Sequence, residues 1–222
     1  MRPFGFETYL LIAAAGFLIM IPAAAAARRF FKQDGEDGAN LLGREPVLLG
    51  VINAVFWAAC AHELAVTYLL LPALAVSVLL IIISAGDIKN GVIPDRLSAA
   101  VLVAGVLWNL AAAASGQGNL LENVIGLFAA SGILFALALA TKGGVGGGDI
   151  KLMAACGLII GWRGGLMALG LAAVLGTIVM LPLFFAGRTK GRTLPFGPFL
   201  SAGVMTMMMF GQQITGWYST LF

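Results

Sequence analysis

Residues 64–86 read LAVTYLLLPALAVSVLLIIISAG, and Asp87-Ile88-Lys89 follows directly. The run contains no charged side chain, and roughly 20 apolar residues suffice to cross the hydrocarbon core of a bilayer as a helix. A carboxylate at the boundary of such a run is costly and usually functional. The stretch therefore predicts a membrane-spanning helix that ends in an acidic site.

The composition of the whole chain also indicates a protein that lies in a lipid bilayer. Of the 222 residues, 60% are hydrophobic and only 10% are charged. A soluble core of this size cannot cover that much apolar surface, whereas a bilayer solvates it directly. The net charge of +3 comes from basic residues scattered among short loops, so it does not indicate nucleic-acid binding. We expect the lipid bilayer to be the surrounding medium.

Eight apolar runs divide the chain. They cover about 6–27, 47–61, 64–86, 97–114, 120–141, 150–161, 165–187 and 196–217. We therefore predict an all-α, polytopic membrane protein with about eight spans and one domain over 1–222, with 28–46 as a short cytoplasmic loop. His62-Glu63 is the polar break between the second and third runs, which predicts a tight turn there.

Loop charges orient these spans. If residues 28–46 are cytoplasmic, alternation places most basic residues inside and only Arg2 and Arg163 outside, a strong positive-inside bias. The inside residues are Arg28, Arg29, Lys32, Arg44, Lys89, Arg96, Lys142, Lys151, Arg188, Lys190 and Arg192. Both termini are then predicted to be non-cytoplasmic. The first run is expected to be a retained helix rather than a cleaved signal peptide, because its positive charges follow the apolar stretch.

The tetrapeptide Gly-Asp-Ile-Lys occurs twice, at Gly86 to Lys89 and at Gly148 to Lys151, and the predicted topology brings both copies to the cytoplasmic side. After the first copy, Asn90-Gly91 is a turn signal and Asp95 is placed to cap the next helix. Asp87 has no such explanation, since the C-terminus of a helix disfavours negative charge. It is the better candidate for catalysis.

The second copy follows a glycine-rich stretch, residues 143–148. Glycines there cannot continue a stable helix, and they permit close backbone approach to a ligand. A phosphate-binding loop would need Lys-Ser/Thr after the last glycine, where this chain has Asp149. Asp149 is a candidate catalytic carboxylate, with Gly146, Gly148 and Lys151 as candidate loop or substrate-binding residues. A simple helix N-cap is the alternative for Asp149.

Metal binding is not predicted. Cys60 and Cys156 both lie inside apolar runs, where single cysteines behave as small hydrophobic residues. With His62 as the single histidine, the chain shows no zinc-ligand spacing.

Several of these motifs resemble the type IV prepilin peptidases. The similarity rests on Asp87 followed by Ile93-Pro94-Asp95, on Gly146-Gly147-Gly148-Asp149, and on the stretches 149–155, 194–200 and 44–46. Presenilin-like proteases share Gly-x-Gly-Asp, but they place a Tyr-Asp pair in the partner helix, whereas Gly86 precedes Asp87 here. The resemblance covers roughly residues 44–205.

The resemblance implies an aspartyl endopeptidase of the bacterial inner membrane that cleaves the short basic leader of prepilins or pseudopilins at the cytoplasmic face. By position, Asp87 and Asp149 match the two catalytic aspartates, and Pro94 and Asp95 fall in the same motif. Bifunctional members carry Cys-x-x-Cys pairs in the first loop and methylate the new N-terminus from S-adenosylmethionine. The 28–46 loop has no cysteine, so we expect no cofactor unless methylation is retained.

Recognition of a basic leader requires acidic partners, and five are available: Asp34, Glu36, Asp37, Glu45 and Asp95. Two other classes of function stay open on the residues alone. A proton-coupled transporter would also use paired acids, but near the bilayer midplane, and a scaffold of a pilus machine would not need paired acids.

Overall fold

The computed structural model describes residues 5–33, 46–64, 70–114, 116, 118–186 and 195–220. Within these ranges the chain is entirely helical, without strands. The helices are α1 (Phe6–Gln33), α2 (Pro46–Leu64), α3 (Leu70–Asn90), α4 (Asp95–Ala114), α5 (Leu120–Ala140), α6 (Gly147–Phe185) and α7 (Gly197–Ser219). Helices α1 to α6 are long and apolar enough to cross a membrane. The prediction of an all-α polytopic membrane protein is confirmed.

The eight predicted runs map onto seven described helices, because the sixth and seventh runs share α6. Its 39 residues would extend about 58 Å if straight, nearly twice the bilayer core of about 30 Å. Gly161 interrupts α6 with φ 71° and ψ 176°. This conformation is unfavourable for a residue that has a side chain, but glycine adopts it readily. The exact number of spans and the orientation of the termini stay predictions.

The predicted turn at His62-Glu63 is wrong. Both residues lie in the last turn of α2, which continues to Leu64, and His62 Nδ1 lies 3.2 Å from Glu63 Oε1. A histidine at a helix C-terminus is compatible with the helix dipole. The division between the second and third runs therefore falls later, between Leu64 and Leu70.

Helix α3 lies at the centre of the fold. It is the most deeply buried of the six spans and contacts α1, α2, α4 and α7. Buried side-chain hydrogen bonds join it to its neighbours: Trp57 Nε1 donates to Ser77 Oγ at 3.0 Å, and Ser77 Oγ donates to Asn53 Oδ1 at 3.1 Å. Such bonds replace the water that lipid cannot supply. These bonds fix α3 in its first half, at Ser77, and the last turn of the same helix carries Asp87.

Helices α5 and α6 meet through small residues. A Cβ atom at Gly126 would overlap the carbonyl oxygen of Gly157, and one at Gly157 would overlap that of Gly126. Close approach of this kind is typical of helix pairs in membranes. Beside the contact, Asn109 Nδ2 donates to the Leu158 carbonyl at 2.7 Å, which joins α4 to α6.

This packing brings the end of α3 together with the starts of α4, α6 and α7. We call this end of the helix bundle the site end. The contacts that define it join Asp87 to Gly197, Gly148 to Ile93, and Lys151 to Asp95.

Candidate active site

Asp87 lies in the last turn of α3 and is 5% exposed. The helix ends three residues later at Asn90, and the next residue, Gly91, adopts φ 66° and donates its N–H to the Asp87 carbonyl at 2.8 Å. The predicted Asn90-Gly91 turn is therefore present. A carboxylate here faces the partial negative charge of the α3 C-terminus, so its position requires a compensating donor.

The start of α7 supplies that donor. The Gly197 backbone N–H donates to Asp87 Oδ2 at 2.8 Å, and Gly197 is the first residue of α7. The partial positive charge of a helix N-terminus stabilises an anion in this position. A Cβ atom at Gly197 would lie 2.8 Å from the same carboxylate oxygen, so glycine is the residue that leaves room for the contact.

Asp149 is the third residue of α6 and is 9% exposed. The N-cap of α6 is Gly146, so the alternative that Asp149 is itself the N-cap is wrong. Its carboxylate instead faces back to the Gly146 N–H, which donates a hydrogen bond to it, as the acidic residue of a capping box does. One oxygen, Oδ1, is buried without a hydrogen-bond partner among the described residues.

The structure brings Asp87 and Asp149 together at the site end. The two carboxylates lie close enough to interact electrostatically, although 62 positions separate them in the chain. Buried carboxylates that repel each other at short range can avoid double ionisation by sharing one proton. A pair of this kind can hold one ionised and one protonated group side by side.

Gly148 has a packing role. A Cβ atom on Gly148 would lie 2.8 Å from Ile93 Cβ, and both Ile93 and Pro94 are buried. The start of α6 therefore packs directly on the loop that joins α3 to α4. This contact fixes the separation of the two helix ends that carry Asp87 and Asp149.

Gly146 differs from Gly148. Its φ of −67° and ψ of 138° are accessible to any residue, but a Cβ atom there would lie 3.1 Å from Asp149 Oδ2. At Gly147, by contrast, a Cβ atom would have no neighbour within 4 Å. The side chain missing at Gly146 therefore leaves space beside the Asp149 carboxylate.

Lys151 and Asp95 pair with each other. Lys151 Nζ donates to both Asp95 oxygens at 2.7 Å, and the two side chains are 56% and 70% exposed. The prediction that Asp95 caps α4 is wrong, because Asp95 is the first residue of α4 and the Pro94 carbonyl accepts the N–H of Ser98. The ion pair instead joins the starts of α4 and α6 beside the two buried aspartates.

Unsatisfied polar atoms collect at the site end. Besides Asp149 Oδ1, the buried atoms Asn90 Nδ2, Ser98 Oγ and Ser201 Oγ have no hydrogen-bond partner within the part of the chain that is described. Asn90 is the last residue of α3, Ser98 lies in the first turn of α4, and Ser201 is the fifth residue of α7. A buried polar atom without a partner costs about 1–3 kcal/mol, so the packing at this end of the bundle carries a cost in stability.

Among the described residues, no group of three or more histidine, cysteine, aspartate or glutamate side chains is placed to hold a metal ion. Cys60 and Cys156 are both buried free thiols. The acidic residues Asp34, Glu36, Asp37 and Glu45 lie outside the described residues, as does Arg44. Their predicted contribution to leader recognition stays a prediction.

Sequence reasoning did not identify Gly197 as part of this site. The stretch Pro195-Phe196-Gly197-Pro198 belongs to the motif at 194–200 that resembles the family, and nothing within it points to Asp87. A glycine followed by proline at the start of a helix does signal an N-terminus, but nothing local indicates which distant carboxylate it contacts.

The sequence of this chain is similar to known proteins of one family. A model described as the type IV leader peptidase family matches residues 74–181. A prepilin leader peptidase/N-methyltransferase from Aeromonas hydrophila is 31% identical over 190 residues, which are 83% of this chain and 64% of that protein. The protein of the same name from Bacillus subtilis (strain 168) is 33% identical over 172 residues, 76% of this chain and 67% of that protein.

This chain thus spans about two thirds of the length of these curated relatives. No solved structure matches it. The matched residues 74–181 contain both buried aspartates, the Ile93-Pro94-Asp95 loop and the glycine-rich start of α6. The chain belongs to the type IV leader peptidase family.

Proposed function

We propose that this chain is a prepilin leader peptidase, an aspartyl endopeptidase that cleaves the short basic leader of prepilins or pseudopilins. The single observation that carries the proposal is the meeting of two buried carboxylates, Asp87 and Asp149, at one end of a membrane helix bundle. Family membership adds that the curated relatives are named prepilin leader peptidases. The active site would face the cytoplasm from the bacterial inner membrane.

Each carboxylate would have a distinct role. Asp87 accepts the Gly197 N–H at the start of α7, which suits an ionised base that takes a proton from water. Asp149, with its unpartnered Oδ1, would carry the shared proton and donate it to the scissile carbonyl oxygen. Water attacks the carbonyl carbon to form a tetrahedral intermediate. Its collapse breaks the C–N bond, while a proton returns from the dyad to the leaving amine.

Water is the only co-reactant in this scheme, so we propose that leader cleavage needs neither a metal nor another cofactor. The relatives' names also include N-methyltransferase, which would require S-adenosylmethionine. The described cavity of ≈310 Å³ is lined by Asn119, Glu122, Arg163 and Gln212 among others, at the end of the bundle opposite the aspartates. We propose leader cleavage without methylation, because residues 28–46 contain no cysteine pair.

The transporter alternative has no observation in its favour among the described residues. Both acids lie at helix ends rather than at the middle of broken helices, where transporters bind their ions. A scaffold protein of a pilus machine would not require two buried carboxylates at one end of its helix bundle.

Isotope labelling tests the proposal. The purified protein would be incubated with a prepilin precursor in H₂¹⁸O, and the products would be identified by mass spectrometry. We expect a single cut that releases the leader, with ¹⁸O in the new leader carboxylate. An intact precursor, or a released leader without the label, would refute hydrolysis by activated water.

A further inference from the structure

The buried face of α1 ends in a phenylalanine. Met20, Ala24, Ala27 and Phe31 are each at most 2% exposed, and this spacing of four, three and four residues places them on one face of the helix. Two alanines precede Phe31 on that face, so its ring is the large buried side chain near the C-terminal end of α1.

The ring of Phe31 lies against the backbone of α3 at Gly86. A Cβ atom on Gly86 would overlap Cζ of Phe31 and would lie 2.7 Å from Cε1, so a side chain at position 86 would have to displace the ring. Asp87 follows Gly86 directly, and all three residues are buried. Phe31 thus contacts the stretch of backbone that carries the Asp87 carboxylate.

The second Gly-Asp pair has the same arrangement. A Cβ atom on Gly148, which precedes Asp149, would lie 2.8 Å from Ile93 Cβ. In both copies a side chain from another part of the chain packs on the glycine immediately before the aspartate. The repeat of Gly-Asp therefore has a physical reason, because the glycine admits the packing that fixes the backbone and the aspartate supplies the carboxylate.

Asp87 is restrained at two points. The Gly197 N–H holds the carboxylate oxygen, whereas Phe31 packs on the main chain from which the side chain extends. Asp87 lies in the last turn of α3, and the ends of helices tend to fray. A bulky ring packed on the preceding residue opposes that fraying at the position where it would move the carboxylate.

We propose that Phe31 is a positioning residue for the reaction, and that it acts through Gly86 to hold Asp87 at the distance from Asp149 that proton sharing requires. The proposal rests on the proposed peptidase function. It assigns to α1, which carries neither aspartate, a direct part in the geometry of the active site.

A size swap between the two residues tests the proposal. Gly86→Ala should lower kcat at least about tenfold and change KM less than about twofold, because a misplaced catalytic group slows chemistry without removing substrate contacts. Phe31→Leu removes the Cε and Cζ atoms and alone should lower kcat about threefold, since it leaves a gap. The double variant should recover kcat to within about threefold of the wild type, as coupled neighbours do.

A second glycine–phenylalanine contact serves as the control. A Cβ atom on Gly50 of α2 would lie 2.8 Å from Cδ2 of Phe17, and Phe17 is about 21 Å from Phe31 along α1. Gly50→Ala should lower the midpoint of thermal unfolding about as much as Gly86→Ala, and adding Phe17→Leu should restore it. The kcat of the folded control variants should equal that of the wild type.

Carboxyl ¹³C NMR gives a readout that does not depend on cleavage. The chain has five aspartates, so with aspartate labelled at the side-chain carboxyl carbon the Asp87 signal can be assigned by its absence in Asp87→Asn. Gly86→Ala should move this signal by more than its linewidth, and adding Phe31→Leu should move it back. Gly50→Ala should leave it in place.

The outcomes separate the two proposals. A wild type that cleaves no precursor but shows the expected NMR pattern would contradict the peptidase function and leave the action of Phe31 on Asp87 standing. Equal losses of kcat in Gly86→Ala and Gly50→Ala, no recovery on adding Phe31→Leu, or an unmoved Asp87 signal would overturn the assignment of Phe31.

Discussion

The backbone N–H of Gly197 lies 2.8 Å from Asp87 Oδ2 and donates a hydrogen bond to it across 110 residues of sequence. The contact sets the positive end of α7 against a carboxylate at the negative end of α3. A charge that α3 alone would disfavour is thereby stabilised in a buried position. The position of α7 is thus linked directly to the candidate active site.

Gly197→Ala should disturb Asp87 and leave the fold intact. The new Cβ atom would lie 2.8 Å from the carboxylate oxygen, so the carboxylate must move and leader cleavage should fall at least about tenfold, since small misplacements of catalytic groups are costly. Gly211→Ala on the same helix is the control, because its Cβ would make only an ordinary 3.6 Å contact with Met207. Equal activities in the two variants would show that the Gly197 contact is dispensable.

The glycines before α6 should respond differently to valine. Gly148→Val places a side chain 2.8 Å from Ile93 Cβ, and overpacking of this kind costs about 1–3 kcal/mol. Thermal stability and cleavage should therefore fall together, and adding Ile93→Ala should restore part of both. Gly146→Val, whose Cβ lies 3.1 Å from Asp149 Oδ2, should reduce cleavage more than stability. Differential scanning fluorimetry and a gel-shift cleavage assay measure the two properties.

The Asp95–Lys151 pair should contribute little. Both side chains are more than half exposed, and exposed ion pairs are worth about 0–1 kcal/mol. Asp95→Asn and Lys151→Gln, alone and together, should retain most of the cleavage activity and shift the midpoint of thermal unfolding by only a few degrees. A loss of cleavage in Asp95→Asn that Lys151→Gln does not share would assign Asp95 a role in binding the leader.

Metal removal should have no effect on cleavage. Within the described ranges no group of side chains could hold an ion, and a carboxylate dyad uses water without a metal. Purified protein is predicted to contain no stoichiometric zinc by elemental mass spectrometry, and chelators should leave the rate unchanged. Bound zinc whose removal abolishes cleavage would refute the proposed chemistry.

How much of this site the sequence reveals depends on the range of each interaction. Asp87 and Asp149 could be identified because each breaks an apolar run beside a repeated Gly-Asp-Ile-Lys motif, and topology alone brings both to one end. Their catalytic role stays a prediction. The Gly197 contact spans 110 residues and the Asp95–Lys151 pair spans 56, so no local pattern reveals either one.

The helix boundaries show the same limit. His62-Glu63 is polar enough to predict a turn, but the helix continues because its last turn tolerates polar side chains. The division between the sixth and seventh runs, by contrast, agrees with the structure, because Gly161 interrupts α6 where the run 150–161 ends.

The central claim is that Asp87 and Asp149 act as one catalytic unit, and the rates of leader cleavage by Asp87→Asn, Asp149→Asn and the double variant test it most directly. Because an amide cannot exchange the shared proton, each single variant should lose at least about 10³-fold in rate, and the double variant should be no slower than either, as for residues that act together. Near-normal cleavage by either folded single variant, or additive losses in the double variant, would contradict the account.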